Sequence, residues 1–113
     1  MSQQPNILLI EVDQLTASVL PQYYQSGQAI TPNLDALAKQ GVVFENAYSN
    51  SPLCCPSRAS KFSGRLPSTH EVWGNGAEFR AEIPTAMHFL RSAGYRTVVS
   101  GKCHFIGPDQ LHG

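Results

Sequence analysis

Residues 6–12, Asn-Ile-Leu-Leu-Ile-Glu-Val, form a near-continuous apolar run with no in-and-out alternation. A strand buried on both faces needs such a run, and strands of that kind belong to parallel sheets covered by helices. The run is far too short to span a bilayer. The segment "TPNLDALAKQG", 31–41, predicts a helix: Thr31 suits the N-cap, Pro32 the first helical position and Gly41 the position past the end. Leu34, Leu37 and Ala38 would form its apolar face. Residues 42–49, "VVFENAYS", suit a second strand. Pro56 opens a short predicted helix to about Ser63, closed by Gly64. Residues 65–82, with Pro67, Gly74 and Gly76, read as a loop. Residues 83–94 predict another helix, with Ala86, Phe89, Leu90 and Ala93 on one face, and "YRTVVSGK", 95–102, a further strand. This order is that of an α/β fold with a largely parallel sheet.

Composition narrows the function classes. Hydrophobic residues make up 42% of the 113 residues and charged residues 14%, which suits a buried core. The formal net charge is zero and no run of Lys or Arg occurs, which argues against nucleic acid or a membrane surface as partner. The start, Met1-Ser2-Gln3-Gln4-Pro5, has no basic region followed by an apolar one, so a cytoplasmic protein is expected. Three cysteines, an odd count, disfavour a secreted disulfide framework. Two or three buried strands under one helical layer leave apolar sheet surface uncovered. Residues 1–113 therefore read as the N-terminal segment of a larger three-layer domain, with a complete small domain as the alternative.

Sites in open α/β sheets collect at the carboxyl ends of strands. Asp13 follows the first strand, Cys54 and Cys55 follow the second at a helix mouth, and Lys102 and His104 follow the third. In an extended chain, residues 102 and 104 point to one side. A carboxylate, a thiol, Arg58, a lysine and a histidine together suit a divalent metal and an anionic substrate. Each residue also has an ordinary reading: Asp13 as a turn cap, Arg58 and Lys102 as solvated side chains, His104 as a hydrogen-bonded structural histidine, Cys54 and Cys55 as packing residues. Cys103, alternating with its neighbours, reads as a core thiol.

The segment "CCPSRASKFSGR", 54–65, resembles the sulfatase signature Cys-x-Pro-Ser-Arg and the helix that follows it. "NILLIEVDQL" resembles the sulfatase first strand and its metal-binding aspartate. "TPNLDALAKQGVVFENAYS" resembles the next helix and strand, and "IPTAMHFLRSAGYRTVVSGKCHFIG" the later helix, strand and Gly-Lys-x-His motif. The blocks occur in family order along nearly the whole chain. The Asp-Gln start, "SPLCCPSRAS" and "GPDQLHG" are most similar to the choline-sulfatase branch.

The resemblance implies an alkaline-phosphatase-like fold and a sulfuric ester hydrolase whose nucleophile is formylglycine, made from cysteine by a formylglycine-generating enzyme. The register with Pro56 and Arg58 selects Cys54, leaving Cys55 as the variable position. The helix mouth would turn free N–H groups toward the sulfate, and Arg58 would hold the metal-bound nucleophile. Lys102 is implied to contact sulfate, His104 the formylglycine, Asn75 the substrate's sulfate, and Asp13 together with residue 54 the metal. Calcium is expected ahead of magnesium or manganese. Gln14 stands where many sulfatases have a second aspartate. The implied substrate is a small sulfate ester, choline sulfate among them, and the full-length relative is expected to be a homo-oligomer. Trp73, Phe79 and Phe105 are available for cation–π contact with choline, though core packing suits each. The downstream metal ligands and sulfate-binding residues lie outside the 113 residues, so the chain alone is expected to be inactive. Phosphonate monoester hydrolases and phosphodiesterases of the same fold share the Asp-Gln start and the cysteine signature, but differ at the positions of Lys102 and His104. A non-catalytic fragment is the other alternative. A zinc or thiol module is disfavoured because adjacent cysteines lack the usual ligand spacing.

Overall fold

The computed structural model describes residues 4–113, which separate into two compact units, the first ending at Ala47 and the second spanning Tyr48–Gly113. The reading of the extreme N-terminus falls partly on residues 1–3, outside the described ones. No helix among the described residues is long and apolar enough to cross a membrane.

In the first unit, a tight turn at Asp13 and Gln14 follows the apolar run. Gln14 is left-handed, with φ 60°. A single 3-10 turn spans Ala17–Val19. Helix α1 spans Pro32–Gln40, with Thr31 and Gly41 at its two caps as expected. Thr31 does not cap with its side chain. Its hydroxyl sits between Gln22 and Asp35, accepting from Gln22 Nε2 at 3.0 Å and donating to Asp35 Oδ1 at 3.4 Å. Gln22 Nε2 also donates to Asp35 Oδ1. The expected apolar face of α1 stays in solvent: Leu37 is 65% exposed, and none of the helix is buried.

The second unit holds the core. Helix α2 spans Cys54–Ser63, α3 Pro67–His70 and α4 Ala86–Ser92. α2 starts two residues earlier than Pro56 suggests, and α3 is a single turn inside the stretch read as a loop. Gly64 ends α2 at φ 67°, the left-handed conformation that glycine adopts without a Cβ clash, and its N–H closes on Ser60 O at 2.8 Å. Cys55, Ala59, Val72, Phe79 and Ile83 form the buried cluster, with Ala77, Phe105 and Ile106 packed against it. Phe79 lies at its centre. Its ring stacks on His112 at 4.7 Å and tilts against Phe105 at 5.6 Å, while its N–H donates to Ile106 O at 2.8 Å. Gly107, at φ 135°, lets the chain pass Glu78, where a Cβ would come within 2.8 Å of that side chain. Thr85 caps α4; its N–H is accepted by His88 Nδ1 at 3.1 Å, and its hydroxyl donates to the carbonyl of His112 at 2.6 Å.

The expected strands do not form. Residues 6–12, 42–49 and 95–102 carry no helix or ladder, and no sheet occurs among the described residues. Leu8 is 82% exposed and Val42 79%. A doubly buried parallel strand is stable only when neighbours take up its N–H and C=O groups and helices cover both faces. These runs have neither.

Candidate active site

Three segments of the second unit meet around the mouth of α2. Cys54 and Cys55 are its first two residues. The first N–H to close the helix is that of Ser57, which donates to Leu53 O at 3.0 Å. Of the three amides ahead of it, Pro56 has no N–H. That of Cys55 donates to Asn75 Oδ1 at 3.1 Å. The mouth therefore offers the N–H of Cys54 to an anion, not the several donors expected from sequence.

The two cysteines have unequal surroundings. Cys55 is 1% exposed, packs in the core, and directs its Sγ to Ala77 O at 3.7 Å. Burial pushes its thiol pKa up, outweighing the nearby Arg58 guanidinium, so it stays protonated and unreactive at neutral pH. Cys54 is half-buried at the mouth itself, and none of the three cysteines is bridged. Cys103 is half-buried rather than a core residue. The core thiol is Cys55.

Arg58 is not a solvated helix residue. It is 5% exposed, and its Nε donates to the main-chain carbonyl of Lys102 at 3.3 Å. The arginine thus ties the signature helix to the Gly-Lys-x-His segment across 44 residues of sequence. On that segment Gly101 has φ 110° and His104 φ 56°. The alternation that would place Lys102 and His104 on one side therefore fails, because His104 is held left-handed. For a residue other than glycine this costs about 1–3 kcal/mol, and such strain persists where surrounding contacts hold it. Here one contact is His104 Nε2 to the main-chain carbonyl of Asn75, at 3.1 Å. His104 Nδ1 is buried and has no hydrogen-bond partner.

Cys55, Arg58, Asn75, Lys102 and His104 are thus tied by hydrogen bonds around α2, and Cys54 adjoins them in sequence. Asp13 is exposed and lies in the first unit, within its tight turn. Of the aromatics offered for cation–π contact, Phe79 is fully buried and Phe105 packs on the core, whereas Trp73 is 64% exposed. Sequence reasoning missed the link from Asn75 to Cys55, and its only signal was an asparagine between two glycines.

Among the described residues, no group of three or more His, Cys, Asp or Glu side chains is gathered to hold a metal ion. A calcium ion takes about six to eight oxygen ligands. Asp13 and residue 54 therefore do not fit such a cation as a complete set.

Comparison with known proteins shows the family. The sulfatase family model matches residues 5–110. The chain is 53% identical over 113 residues to a choline-sulfatase of Rhizobium meliloti (strain 1021), covering 97% of this chain and 21% of that protein. It is 37% identical over 110 residues to a Delta 4,5-hexuronate-2-O-sulfatase of Bacteroides thetaiotaomicron, covering 93% and 23%. It is 36% identical over 123 aligned positions to the N-acetylgalactosamine-6-sulfatase of Homo sapiens, covering 97% and 23%. The chain spans about a fifth of the length of these relatives. The family's fold is the alkaline-phosphatase-like α/β class expected from sequence, of which the described residues hold the helices and not the sheet. Signature, spacing and family model agree that this chain belongs to the sulfatase family.

Proposed function

We propose that the chain carries the nucleophile half of the active site of a sulfuric ester hydrolase. The observation that supports this most is the arginine bridge. The Cys54-x-Pro56-x-Arg58 signature stands at a helix mouth, and Arg58 binds the segment that bears Lys102 and His104. Oxidation of Cys54 by a formylglycine-generating enzyme supplies an aldehyde whose hydrate serves as nucleophile and whose regeneration releases sulfate by C–O cleavage. This chain's own residues supply one part of the rest. The N–H of Cys54 and the buried charge of Arg58 favour an anion at the mouth. Lys102 binds the sulfate, Asn75 offers it the amide nitrogen left over from its bond to Cys55, and His104 holds a proton of the nucleophile.

Similarity to a choline-sulfatase supports a small sulfate ester, choline sulfate included, as substrate. Sulfatase relatives, and lysine and histidine at 102 and 104, favour sulfate over phosphonate or phosphodiester substrates. Asp13 and modified Cys54 would supply part of the shell of a divalent cation, calcium ahead of magnesium or manganese. The other ligands lie outside these residues, so the chain alone is inactive. Three unbridged cysteines suit a cytoplasmic location.

Mass spectrometry of the peptide spanning residue 54, after co-expression with a formylglycine-generating enzyme, tests the reading. Loss of the thiol in favour of an aldehyde is expected at Cys54, and none in Cys54→Ala. An unmodified thiol would overturn the nucleophile assignment, and sulfate release by the purified 113-residue chain would overturn its inactivity.

A further inference from the structure

From the geometry we infer that Asn75 is a positioning residue for His104, fixing the imidazole with its hydrogen on Nε2 and leaving Nδ1 as the working nitrogen. The inference deepens the hydrolase reading and rests on it for the role of His104.

Two bonds carry it. A main-chain carbonyl only accepts, so the His104 nitrogen 3.1 Å from Asn75 O must be a donor, which places the hydrogen of the neutral ring on Nε2. The second nitrogen, Nδ1, is then a bare acceptor, and it is buried without a hydrogen-bond partner. A buried acceptor left unmatched is costly unless something engages it in function. The carbonyl is itself held in place. The same logic applies to the Asn75 side chain: the Cys55 N–H only donates, so the atom 3.1 Å from it is Oδ1 and not the amide nitrogen. Asn75 thus grips the first turn of the nucleophile helix with its side chain and the imidazole with its main chain. The left-handed backbone of His104, at φ 56°, turns the ring out of the alternating pattern that an extended chain would impose. Histidines set by a carbonyl in this way have one ring nitrogen assigned to structure and the other freed for chemistry.

The test is spectroscopic and needs no turnover. The chain is labelled with 15N-histidine, and the two-bond 1H–15N pattern of His104 is read at a pH where the ring is neutral. His104 is assigned through bonds from its own backbone, so no variant is needed for identification. The wild type should show a protonated Nε2 and an unprotonated Nδ1. Asn75→Asp keeps an acceptor for the Cys55 N–H and should preserve that pattern. Asn75→Ala releases the loop and should admit the opposite tautomer to about a tenth or more of the population. A wild-type ring protonated on Nδ1, or an alanine variant with the wild-type pattern unchanged, overturns the inference. Either result leaves the Cys54 mass-spectrometric test untouched, and failure of that test leaves the tautomer standing.

Discussion

The two units of this chain contrast sharply in what they bury. Among the described residues up to Ala47 not one is buried, and Ile7, Leu8, Leu9, Ile10 and Phe44 all lie in solvent. The second unit closes a core around Phe79 and buries the charged Arg58. Both contain a helix with a proline in its first turn, Pro32 in α1 and Pro56 in α2, so that local signal does not distinguish them. What distinguishes them is burial: α2 presents Cys55 and Ala59 to aromatic partners from distant sequence, whereas α1 presents Leu34 and Leu37 to water. Local pattern makes a helix, and long-range apolar contact makes a folded unit.

The largest effect that would sharpen this contrast is at two phenylalanines, one in each unit. Phe79→Ala should destabilise the second unit by about 3–5 kcal/mol. Phe44→Ala, at a residue 69% exposed, should stay within about 0.5 kcal/mol. Denaturant unfolding of the two variants measures this, and equal effects would break the contrast.

Acid should act on one unit only. All four histidines lie between residues 70 and 112. His70 is buried; its Nδ1 accepts the N–H of Val72 at 3.1 Å, so its Nε2 donates to Ser60 Oγ at 2.9 Å. Burial holds its pKa below the ordinary value, and burial followed by the charge of His88 does the same for His112. A neutral ring is thus favoured by folding. The stability this confers is present above the unfolded histidine value of about 6.5 and is lost as pH falls through the lower folded values. Each group changes stability by at most about 1.4 kcal/mol per pH unit. Hydrogen exchange between pH 7 and pH 5 should show amides near Val72 and Phe79 losing protection, while those of α1 show no histidine-linked change. Loss of the acid response in neither His70→Gln nor His112→Gln would reject this account.

A smaller effect belongs to Cys55→Ser. The hydroxyl replaces a buried thiol beside Ala59 and Phe79, and should cost about 1–2 kcal/mol of stability. Conversion of Cys54, read by mass, should continue.

The helix centred on Ala59 and the α4 segment were legible because they depend on residues a few positions apart. Gly64 and Pro67 likewise act on their own turns. The sheet was legible as composition only, since a strand's hydrogen bonds are made by neighbours that its own sequence does not contain. The core role of Cys55 was hidden because nothing adjacent shows that Val72 and Phe79 will meet it. Asn75 was legible as a polar residue in a glycine-rich loop. Its bond to Cys55 spans 20 residues, and that of His104 to its carbonyl spans 29, so neither follows from spacing. The left-handed turn at His104 defeats the alternation rule that was used to place it.

The bridge from Arg58 to the Lys102 carbonyl also sets an order in time. Helix α2 needs contacts only four residues apart, while the bridge closes a loop of 44 residues. Loop-closure entropy makes distant contacts late arrivals in folding. In a growing chain the Cys54 segment therefore precedes the lysine and histidine segment that comes to surround it. The interval between those two events is set by chain length and not by chemistry at the cysteine.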